Sequence, residues 1–289
     1  MASFLGSFWE RLHPQQKPRV QIMSDLHLEI GQQYSSYTFP VSAPFLLLGG
    51  DIGRLIDYDN YLIFLNAQVS RYDKVFLVLG NHEFYGMEYE AGLDKAHLLS
   101  EEPSLAGKLV LLHKTRWDDR VSNLTVLGCT LWSAIPEEAC DIIQSTVNDF
   151  KQIRDWTAAK HNQVHDEETA WLRGQVAQVA SQEGFDQRRL LVATHHAPCV
   201  KGTSRPEHDN SPWAPAFSTD LLDQAGWNYV KTWAFGHTHY STKFARNGIK
   251  LVANQRGYFF PDSKVQIDKS TTKGGKNARD FDSAMNVTI

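Results

Sequence analysis

Five short motifs place acidic, imidazole and amide side chains directly after apolar runs of the sequence. In chain order they are Asp25-Leu-His27, Gly-Asp51, Gly-Asn81-His82-Glu83, Thr-His195-His196 and Gly-His237-Thr-His239. Each apolar run is typical of a buried strand, and α/β sheets bind ligands in a crevice at the carboxyl ends of their strands. We therefore expect these side chains to converge on one site.

The spacing inside two of the motifs favours a shared ligand. Asp25 and His27 are two residues apart, as are His237 and His239. In an extended backbone, side chains two residues apart point to the same face, so each pair can reach one cluster. The glycines that precede Asp51 and the later motifs permit a sharp turn or a close approach of the backbone.

The side-chain types predict a site for two metal ions. Seven groups are candidate ligands: Asp25, His27, Asp51, Asn81, His195, His237 and His239. Mixed nitrogen and oxygen ligation suits Mn, Fe, Zn, Co or Ni better than Ca or Mg, and we expect Mn in use, with Fe and Zn as alternatives. Two divalent ions with two carboxylates and a bridging hydroxide keep a net positive charge, which favours a phosphate anion as substrate.

Turn chemistry is the alternative explanation for each motif taken alone. A single D-x-H arises often by chance, and glycine, aspartate and asparagine favour turns whether or not they bind anything. Turn preference does not explain five such motifs in this order, each after an apolar run. We therefore favour the metal site.

The combination of D-x-H, G-D, G-N-H-E, T-H-x-x-P and G-H-T-H resembles the calcineurin-like metallophosphoesterase superfamily, from Asp25 to His239. The resemblance implies an α/β fold, a four-layer α-β-β-α sandwich in which two central mixed β-sheets are flanked by helices. It further implies two ligand sets, which share Asp51. The first set is Asp25, His27, Asp51 and His239, and the second is Asp51, Asn81, His195 and His237.

The resemblance also implies roles in catalysis and substrate binding. His82 matches the residue that contacts phosphate and donates a proton, so His82 and Asp51 are the predicted catalytic residues. His195 follows the strand-end threonine and is preferred to His196 as the ligand. Weaker similarity to compact soluble bacterial and fungal members rests on Asn148-Asp149-Phe150, on His165 ahead of Trp171, and on Arg256, for which core packing or surface hydrogen bonding are alternatives. The predicted substrate-binding residues are Asn81, His82, His196, Tyr85, Asp149 and Arg256.

Length and composition set the wider expectations. The 289 residues predict a single domain over 1–289, with an N-terminal leader at 1–17 and a mobile C-terminal segment at 262–280. A net charge of −4 without a Lys/Arg cluster argues against a long nucleic acid as partner. The three cysteines are far apart, which indicates a reducing, cytoplasmic location. No apolar run reaches the ~18–20 residues of a membrane span, so we expect no membrane partner.

The apolar pattern predicts eight strands and three helical segments. The predicted strands are Arg19–Met23, Phe45–Leu48, Lys74–Leu79, Leu109–His113, Leu124–Leu131, Leu190–Thr194, Val230–Phe235 and Lys250–Ala253, and Phe281–Ile289 is a further candidate. The predicted helices are Asp57–Ser70, Asp141–Trp156 with a break near Asn148, and His165–Ser181. The segment 201–215 is rich in proline and polar residues, which is typical of a long functional loop.

The predicted function is hydrolysis of a phosphoester at a dinuclear metal centre with a bridging hydroxide. A small phosphodiester or nucleotide is the preferred substrate, because aromatic residues near the motifs can stack on a base. One alternative is a phosphomonoesterase, including a phosphoprotein phosphatase. Another is a metal-binding interaction scaffold without turnover. The sequence gives no expectation for the oligomeric state.

Overall fold

The computed structural model describes residues 17–182, 184, 188–208, 211–260 and 280–289. The leader predicted at 1–17 and the mobile segment predicted at 262–280 therefore lie outside the described residues, apart from Lys17 and Asp280. Within the described ranges, the strands are β1 (Arg19–Met23), β2 (Phe45–Gly49), β3 (Lys74–Val78), β4 (Leu109–Leu111), β5 (Thr115–Asp118), β6 (Leu124–Cys129), β7 (Arg189–Thr194), β8 (Thr232–Phe235), β9 (Thr242–Arg246), β10 (Ile249–Ala253) and β11 (Asn286–Thr288). The helices are α1 (Tyr58–Val69), α2 (Tyr89–Ser100), α3 (Cys140–Thr146), α4 (Asp149–Gln152) and α5 (Ala158–Ala180).

The strands form two mixed sheets. In the first, the order is β11-β1-β2-β3-β4, with β1 to β4 parallel and β11 antiparallel to β1. In the second, the order is β5-β6-β7-β8-β10-β9, with the four inner strands parallel and both edge strands antiparallel. Parallel strands have their carboxyl ends at one edge, so each sheet offers one edge for a site.

Alternating side chains on the strands build the layers. Leu47 of β2 and Phe76 of β3 pack in the core between the sheets, where Val126 and Leu191 come from the second sheet. The residues next to Leu47 and Phe76 along their strands, such as Leu46, face the other side of the first sheet. There they form an outer core that also contains residues of α1 and α2. Residues of α5 share the outer core of the second sheet. The predicted arrangement of two mixed sheets flanked by helices is confirmed.

Helix α5 also holds a loop of the second sheet through a row of buried polar side chains. His161, His165 and Glu168 lie on one face of the helix at spacings of four and three residues. Glu168 Oε2 accepts the N–H of Leu131 at 2.5 Å, and His165 Nδ1 donates to the Leu131 carbonyl at 2.8 Å. His161 Nε2 accepts the N–H of Ser133 at 3.2 Å. The helix therefore fixes the loop that follows β6.

That loop supports the fourth predicted motif, Thr-His195-His196. The carbonyl of Thr130 accepts the N–H of His195 at 3.2 Å and of His196 at 3.0 Å. Leu131 and Trp132 have φ values of 72° and 46°, which are rare for residues with side chains. The hydrogen bonds from α5 stabilise this backbone, so α5 positions the two histidines from a distance.

Some elements differ from the predicted ones. All eight predicted strands are present, and β11 lies within the candidate Phe281–Ile289. Helix α2 was not predicted, because the buried residues on it include Gly92 and Ala96, which give a weak apolar signal. Strands β5 and β9 were not predicted either, because both are edge strands made of half-buried and exposed residues without an apolar run. No helix in the described part of the chain is long and apolar enough to span a membrane.

The buried imidazole of His161 predicts a loss of stability in acid. Burial lowers the pKa of His161 from 6.5 to about 3, so between these values the unfolded chain binds a proton that the folded chain excludes. The stability that this neutral ring contributes is therefore present above pH 6.5 and is lost as the pH falls below it. In His161→Gln, the free energy of unfolding should fall less steeply with acid, by up to about 1.4 kcal/mol per pH unit.

Urea denaturation at several pH values measures this slope. The control is His97→Gln, because His97 is an exposed histidine on α2. A slope in His161→Gln equal to that of the wild type would contradict the prediction.

Candidate metal centre

Five strand-end loops meet at one edge of the two sheets, as the motif positions predict. The loop after β1 is joined to the loop after β2 by a hydrogen bond from Asp25 N–H to Gly50 O at 2.9 Å. The two sheets are joined by His195 Nδ1, which lies 3.0 Å from Gly49 O. The loop after β8 is joined to that after β7, since Gly236 N–H donates to His195 O at 2.9 Å. The predicted ligands therefore stand on loops that fix one another.

Five of the predicted ligands have a left-handed backbone. The φ values are 54° at Asp25, 48° at His27, 52° at Asp51, 73° at His237 and 49° at His239. The spacing suggested that Asp25 and His27, like His237 and His239, converge through extended backbone. The left-handed φ values show that they do not. Strained backbone of this kind clusters at functional sites because the surrounding structure must enforce it.

Two glycines allow the loops to approach this closely. A Cβ atom at Gly80 would collide with Oδ1 of Asp51, and one at Gly236 would lie 2.8 Å from Oδ2 of Asp25. The prediction that glycines before the motifs permit close approach is confirmed at these positions.

One group of side chains matches the first predicted ligand set. Asp25, His27, Asp51 and His239 each offer a ligand atom, and these atoms lie within 4.8 Å of one another. Nε2 of His27 faces Nε2 of His239 at 2.9 Å, and Nε2 of His239 lies 3.6 Å from Oδ1 of Asp25. Two imidazole nitrogens and two carboxylates that face one point are a donor set suited to a divalent cation.

A second group matches the other predicted set and shares Asp51 with the first. The ligand atoms of Asp51, His195 and His237 lie within 4.8 Å of one another. Nε2 of His195 lies 3.4 Å from Oδ1 of Asp51 and 3.1 Å from Oδ1 of Asn81. Nε2 of His237 is buried and has no hydrogen-bond partner within the described residues. Because buried polar atoms normally have a hydrogen-bond partner, an unpartnered ring nitrogen at this position is available to bind a metal ion.

His196 is placed away from the cavity, in contrast to its neighbour His195. Its ring is fully buried and lies 4.0 Å from the ring of His237 and 5.2 Å from that of Trp132. Neither ring nitrogen has a hydrogen-bond partner within the described residues. His196 therefore packs behind a predicted ligand, and it stays only a predicted substrate contact.

Asp149 and Tyr85 orient the amide of Asn81. Nδ2 of Asn81 donates to Oδ1 of Asp149 at 2.7 Å and to the hydroxyl of Tyr85 at 3.0 Å. That hydroxyl donates in turn to Oδ1 of Asp149 at 2.7 Å. Because the amide nitrogen is held on this side, the amide oxygen faces His195 and the second ligand group.

His82 lies beside both groups, and its orientation is set by Glu29. Nδ1 of His82 is 2.9 Å from Oε1 of Glu29, which leaves Nε2 facing Asp51 at 4.0 Å and the hydroxyl of Tyr258 at 3.2 Å. Burial lowers the pKa of His82, but the Asp51 and Glu29 carboxylates outweigh it and raise the pKa to about 9. Glu29 was not predicted, although it extends the first motif to D-x-H-x-E at the same two-residue spacing.

Glu83, the last residue of G-N-H-E, joins the loops after β2 and β3 through buried hydrogen bonds. Its carboxylate is fully buried, and Oε2 accepts the N–H groups of Asp51 at 2.9 Å and Gly80 at 2.7 Å. Oε1 accepts the N–H of Ile52 and the hydroxyl of Tyr61, each at 2.9 Å. Burial and the Asp51 charge raise the pKa of Glu83 to about 7, whereas these donors favour the ionised form. No role was predicted for Glu83 from the sequence.

Arg256 lies outside the cavity. Its guanidinium donates to the carbonyl of Leu26 at 3.0 Å and to Oε1 of Gln33 at 2.8 Å, and it stacks over Tyr37 at 4.5 Å. These contacts fix the loop that follows Asp25 and His27. Arg256 therefore stabilises the site from outside and does not face the cavity.

The ligand groups open into a cavity of about 510 Å³. It is bordered by three parts of the chain: the metal-ligand loops, the turn between α3 and α4, and the segment after β7. The residues lining it are Asp51, Asn81, His82, Tyr85, Thr146, Val147, Asn148, Asp149, Val200, Ser204, Arg205, His208, Ser211, Trp213, Ala214, Phe217, Ser218, His237, Thr238, His239 and Tyr258. A cavity of this size accommodates a small organic molecule.

The Glu83 carboxylate predicts a large loss of stability in Glu83→Gln. The glutamine NH₂ would face backbone N–H donors, so the free energy of unfolding should fall by roughly 2–4 kcal/mol. Urea denaturation measures this change. The matched control is Glu167→Gln, because Glu167 is an exposed residue whose contact with Lys114 spans 3.7 Å. Equal stability of the two variants would contradict the assigned role of Glu83.

The contacts of Asp149 predict weaker metal binding in Asp149→Ala. Without this carboxylate the Asn81 amide is free to rotate, and the affinity for Mn²⁺ should fall by roughly 10–100-fold. Titration calorimetry measures the affinity, and thermal unfolding shows whether the variant is folded. Asp166→Ala, on the exposed face of α5, is the control. Unchanged affinity in a folded Asp149→Ala protein would contradict the orienting role.

Comparison with known proteins gives relatives over most of the chain. An uncharacterized protein of Acanthamoeba polyphaga mimivirus is 28% identical, in a match that covers 86% of this chain and 97% of the relative. The crystal structure of a phosphopantetheinyl hydrolase from Mycobacterium tuberculosis superposes with a TM-score of 0.61 at 19% identity, over 84% of this chain and 91% of that one. A dimetal phosphatase from Danio rerio gives a TM-score of 0.47 at 13% identity, over 82% and 86%.

The sequence profile of one family matches the region that carries the motifs. It matches residues 18–241, which begin just before β1 and include every predicted metal ligand. The chain therefore belongs to the calcineurin-like phosphoesterase family, whose members are metal-dependent phosphoester hydrolases.

Proposed function

We propose that this protein hydrolyses a small phosphoester at a dinuclear metal centre, with a phosphodiester or nucleotide as its preferred substrate. The observation that carries the proposal is the meeting of two ligand groups that share Asp51 beside His82 Nε2. A scaffold that only bound metal would have no need for an imidazole held toward the cavity by Glu29.

The residues of the chain fit the two ions that the family binds. The first ion would be held by Asp25, His27, Asp51 and His239, and the second by Asp51, Asn81, His195 and His237. When bound, two such ions supply an activated hydroxide and neutralise charge on the phosphoryl oxygens. Manganese is the metal that we propose to be in use, with iron and zinc as alternatives.

His82 is the proposed proton donor and phosphate contact. Glu29 holds its Nδ1, so Nε2 is the nitrogen that faces the cavity. The Asp51 and Glu29 carboxylates raise the pKa of this ring to about 9, and Glu29, which is no ligand of either proposed ion, favours the protonated ring also when Asp51 holds the ions. A protonated Nε2 can stabilise charge on a phosphoryl oxygen and then protonate the leaving oxygen.

The size of the cavity and the charge of the protein support a small substrate. About 510 Å³ is far more than one phosphate needs, so an organic group fits beside the reacting phosphorus. The net charge of −4 makes a long nucleic acid an unsuitable partner. The cytoplasmic location indicated by the sequence stays a prediction.

Hydrolysis of bis-p-nitrophenyl phosphate beside p-nitrophenyl phosphate, with Mn²⁺ added, tests the proposal. We expect turnover by the wild type and faster hydrolysis of the diester. His82→Ala should lower kcat by about 10²–10⁴-fold, because it removes the proton donor. Asp51→Asn should abolish activity, because Asp51 belongs to both ligand groups.

Matched controls separate the site from general effects. His97→Ala and Asp94→Asn change an exposed histidine and an exposed aspartate on α2, and both should keep wild-type rates. Faster hydrolysis of the monoester would favour a phosphomonoesterase. No turnover by a folded, metal-loaded wild type would contradict the proposal and favour the scaffold.

A further inference from the structure

The cavity extends well beyond the two ligand groups. The ring of Phe217 stacks on that of His237 at 4.7 Å, so this part of the wall lies beside the predicted ligands. Arg205 and Trp213, in the same segment after β7, also line the cavity but are exposed. Thr146, at the end of α3, and Asn148, just before α4, also line the cavity and are exposed. These four residues define an outer lobe of the cavity.

Arg205 is the charged residue among the four described residues that define the outer lobe. Arg205 is the only lysine or arginine among the described residues that line the cavity. Its guanidinium has no ion pair or hydrogen bond with any other described residue. The carboxylates that line the cavity, Asp51 and Asp149, stand at the ligand groups, and Oδ1 of Asp149 already accepts from Asn81 and Tyr85. An anion in the outer lobe would therefore meet a guanidinium that no described residue pairs, away from the two described carboxylates that line the cavity.

The lobe also presents an aromatic face. Trp213 is 40% exposed, although a tryptophan on a cavity wall gains stability from burial. A planar ring laid against it would remove that apolar surface from water, as bases do on the aromatic platforms of nucleic-acid-binding proteins. A phosphate has no apolar surface to lay against Trp213.

We infer that the outer lobe binds the organic part of the phosphoester, with a planar ring against Trp213 and a second anionic group against Arg205. The inference rests on the proposed function, since it assigns the substrate class of the same site. The substrate is thus a phosphoester whose organic part carries both a ring and a further phosphate or carboxylate. The guanidinium binds such a group through paired N–H donors, which a lysine would not reproduce.

Calorimetric titration of the Mn²⁺-loaded protein tests the inference by binding and does not depend on turnover. The probes are adenosine 5′-monophosphate and adenosine 3′,5′-bisphosphate, which share the ring and differ by one phosphate. We expect the wild type to bind the bisphosphate roughly 10-fold more tightly, because of the added contact with a charged donor. Arg205→Gln should lose this preference, whereas Trp213→Ala should weaken both probes by roughly 10-fold.

The control variant is Arg120→Gln. Arg120 is exposed in the turn between β5 and β6, at the edge of the sheet opposite the site, so its loss changes the net charge equally without touching the cavity. Arg205 is exposed, so Arg205→Gln should fold, which thermal unfolding confirms. Equal affinity of the wild type for both probes would overturn the inference, as would a preference that survives in Arg205→Gln or disappears in Arg120→Gln.

Binding and hydrolysis together separate the two proposals. The expected binding pattern in a protein that hydrolyses neither p-nitrophenyl ester would support the outer lobe and contradict the proposed function. Hydrolysis of those esters by a protein that binds both adenosine probes equally would support the function and overturn the outer lobe.

Discussion

The buried carboxylate of Glu83 is the constraint on which the site depends. It accepts hydrogen bonds from the backbone N–H groups of Asp51, Ile52 and Gly80 and from the hydroxyl of Tyr61 on α1. These donors belong to two different strand-end loops and to a helix, and none has another carboxylate to satisfy it. A buried anion with this many donors is stable only in one geometry, because any shift leaves a buried charge or a buried N–H without a partner. These hydrogen bonds therefore enforce the left-handed backbone at Asp51, and with it the position of the predicted ligand that the two groups share.

The same principle, a polar group buried where only one arrangement satisfies it, recurs around the site. Glu29 fixes His82, Asp149 and Tyr85 fix Asn81, and the row of polar side chains on α5 fixes the loop that holds His195. Asp149 and the polar row on α5 come from elements that make no predicted metal contact, whereas Glu29 and Tyr85 stand on the loops that carry the predicted ligands. Burial lowers the pKa of His195, but the Asp51 carboxylate outweighs this effect and raises the pKa to about 10, so a proton on this imidazole accompanies the Asp51 charge. A divalent cation held by Asp51 and His195 would replace that proton, so metal binding and proton release are coupled here.

The sequence was sufficient for the sheets and for the ligand types, because both depend on local patterns. Apolar runs identify buried strands, and Asp, His and Asn at their ends mark the candidate ligands, most of which the structure brings into two groups. It was insufficient wherever the determining contact is distant in sequence. Asp149 meets Asn81 from 68 residues away, and Glu168 meets Leu131 from 37, so no spacing reveals either contact. Helix α2 was missed because small residues line its buried face. The extended-strand reasoning for the paired ligands was wrong because the ladder ends before them and tertiary hydrogen bonds determine their backbone.

The distribution of these contacts separates a fixed part of the cavity from a selective part. The ligand loops are buried, joined to one another by backbone hydrogen bonds, and intolerant of an added Cβ at Gly80 and Gly236. The outer wall comes from the segment after β7 and the α3–α4 turn, where Arg205, Trp213 and Asn148 are exposed and bear on no predicted ligand. A substitution in the outer wall can change which substrate fits without disturbing the two ligand groups. A substitution in the ligand loops changes both the fit of the substrate and the ligand groups. Selection among phosphoesters in this protein is therefore expected to depend on the outer wall, and the reaction itself on the strand ends.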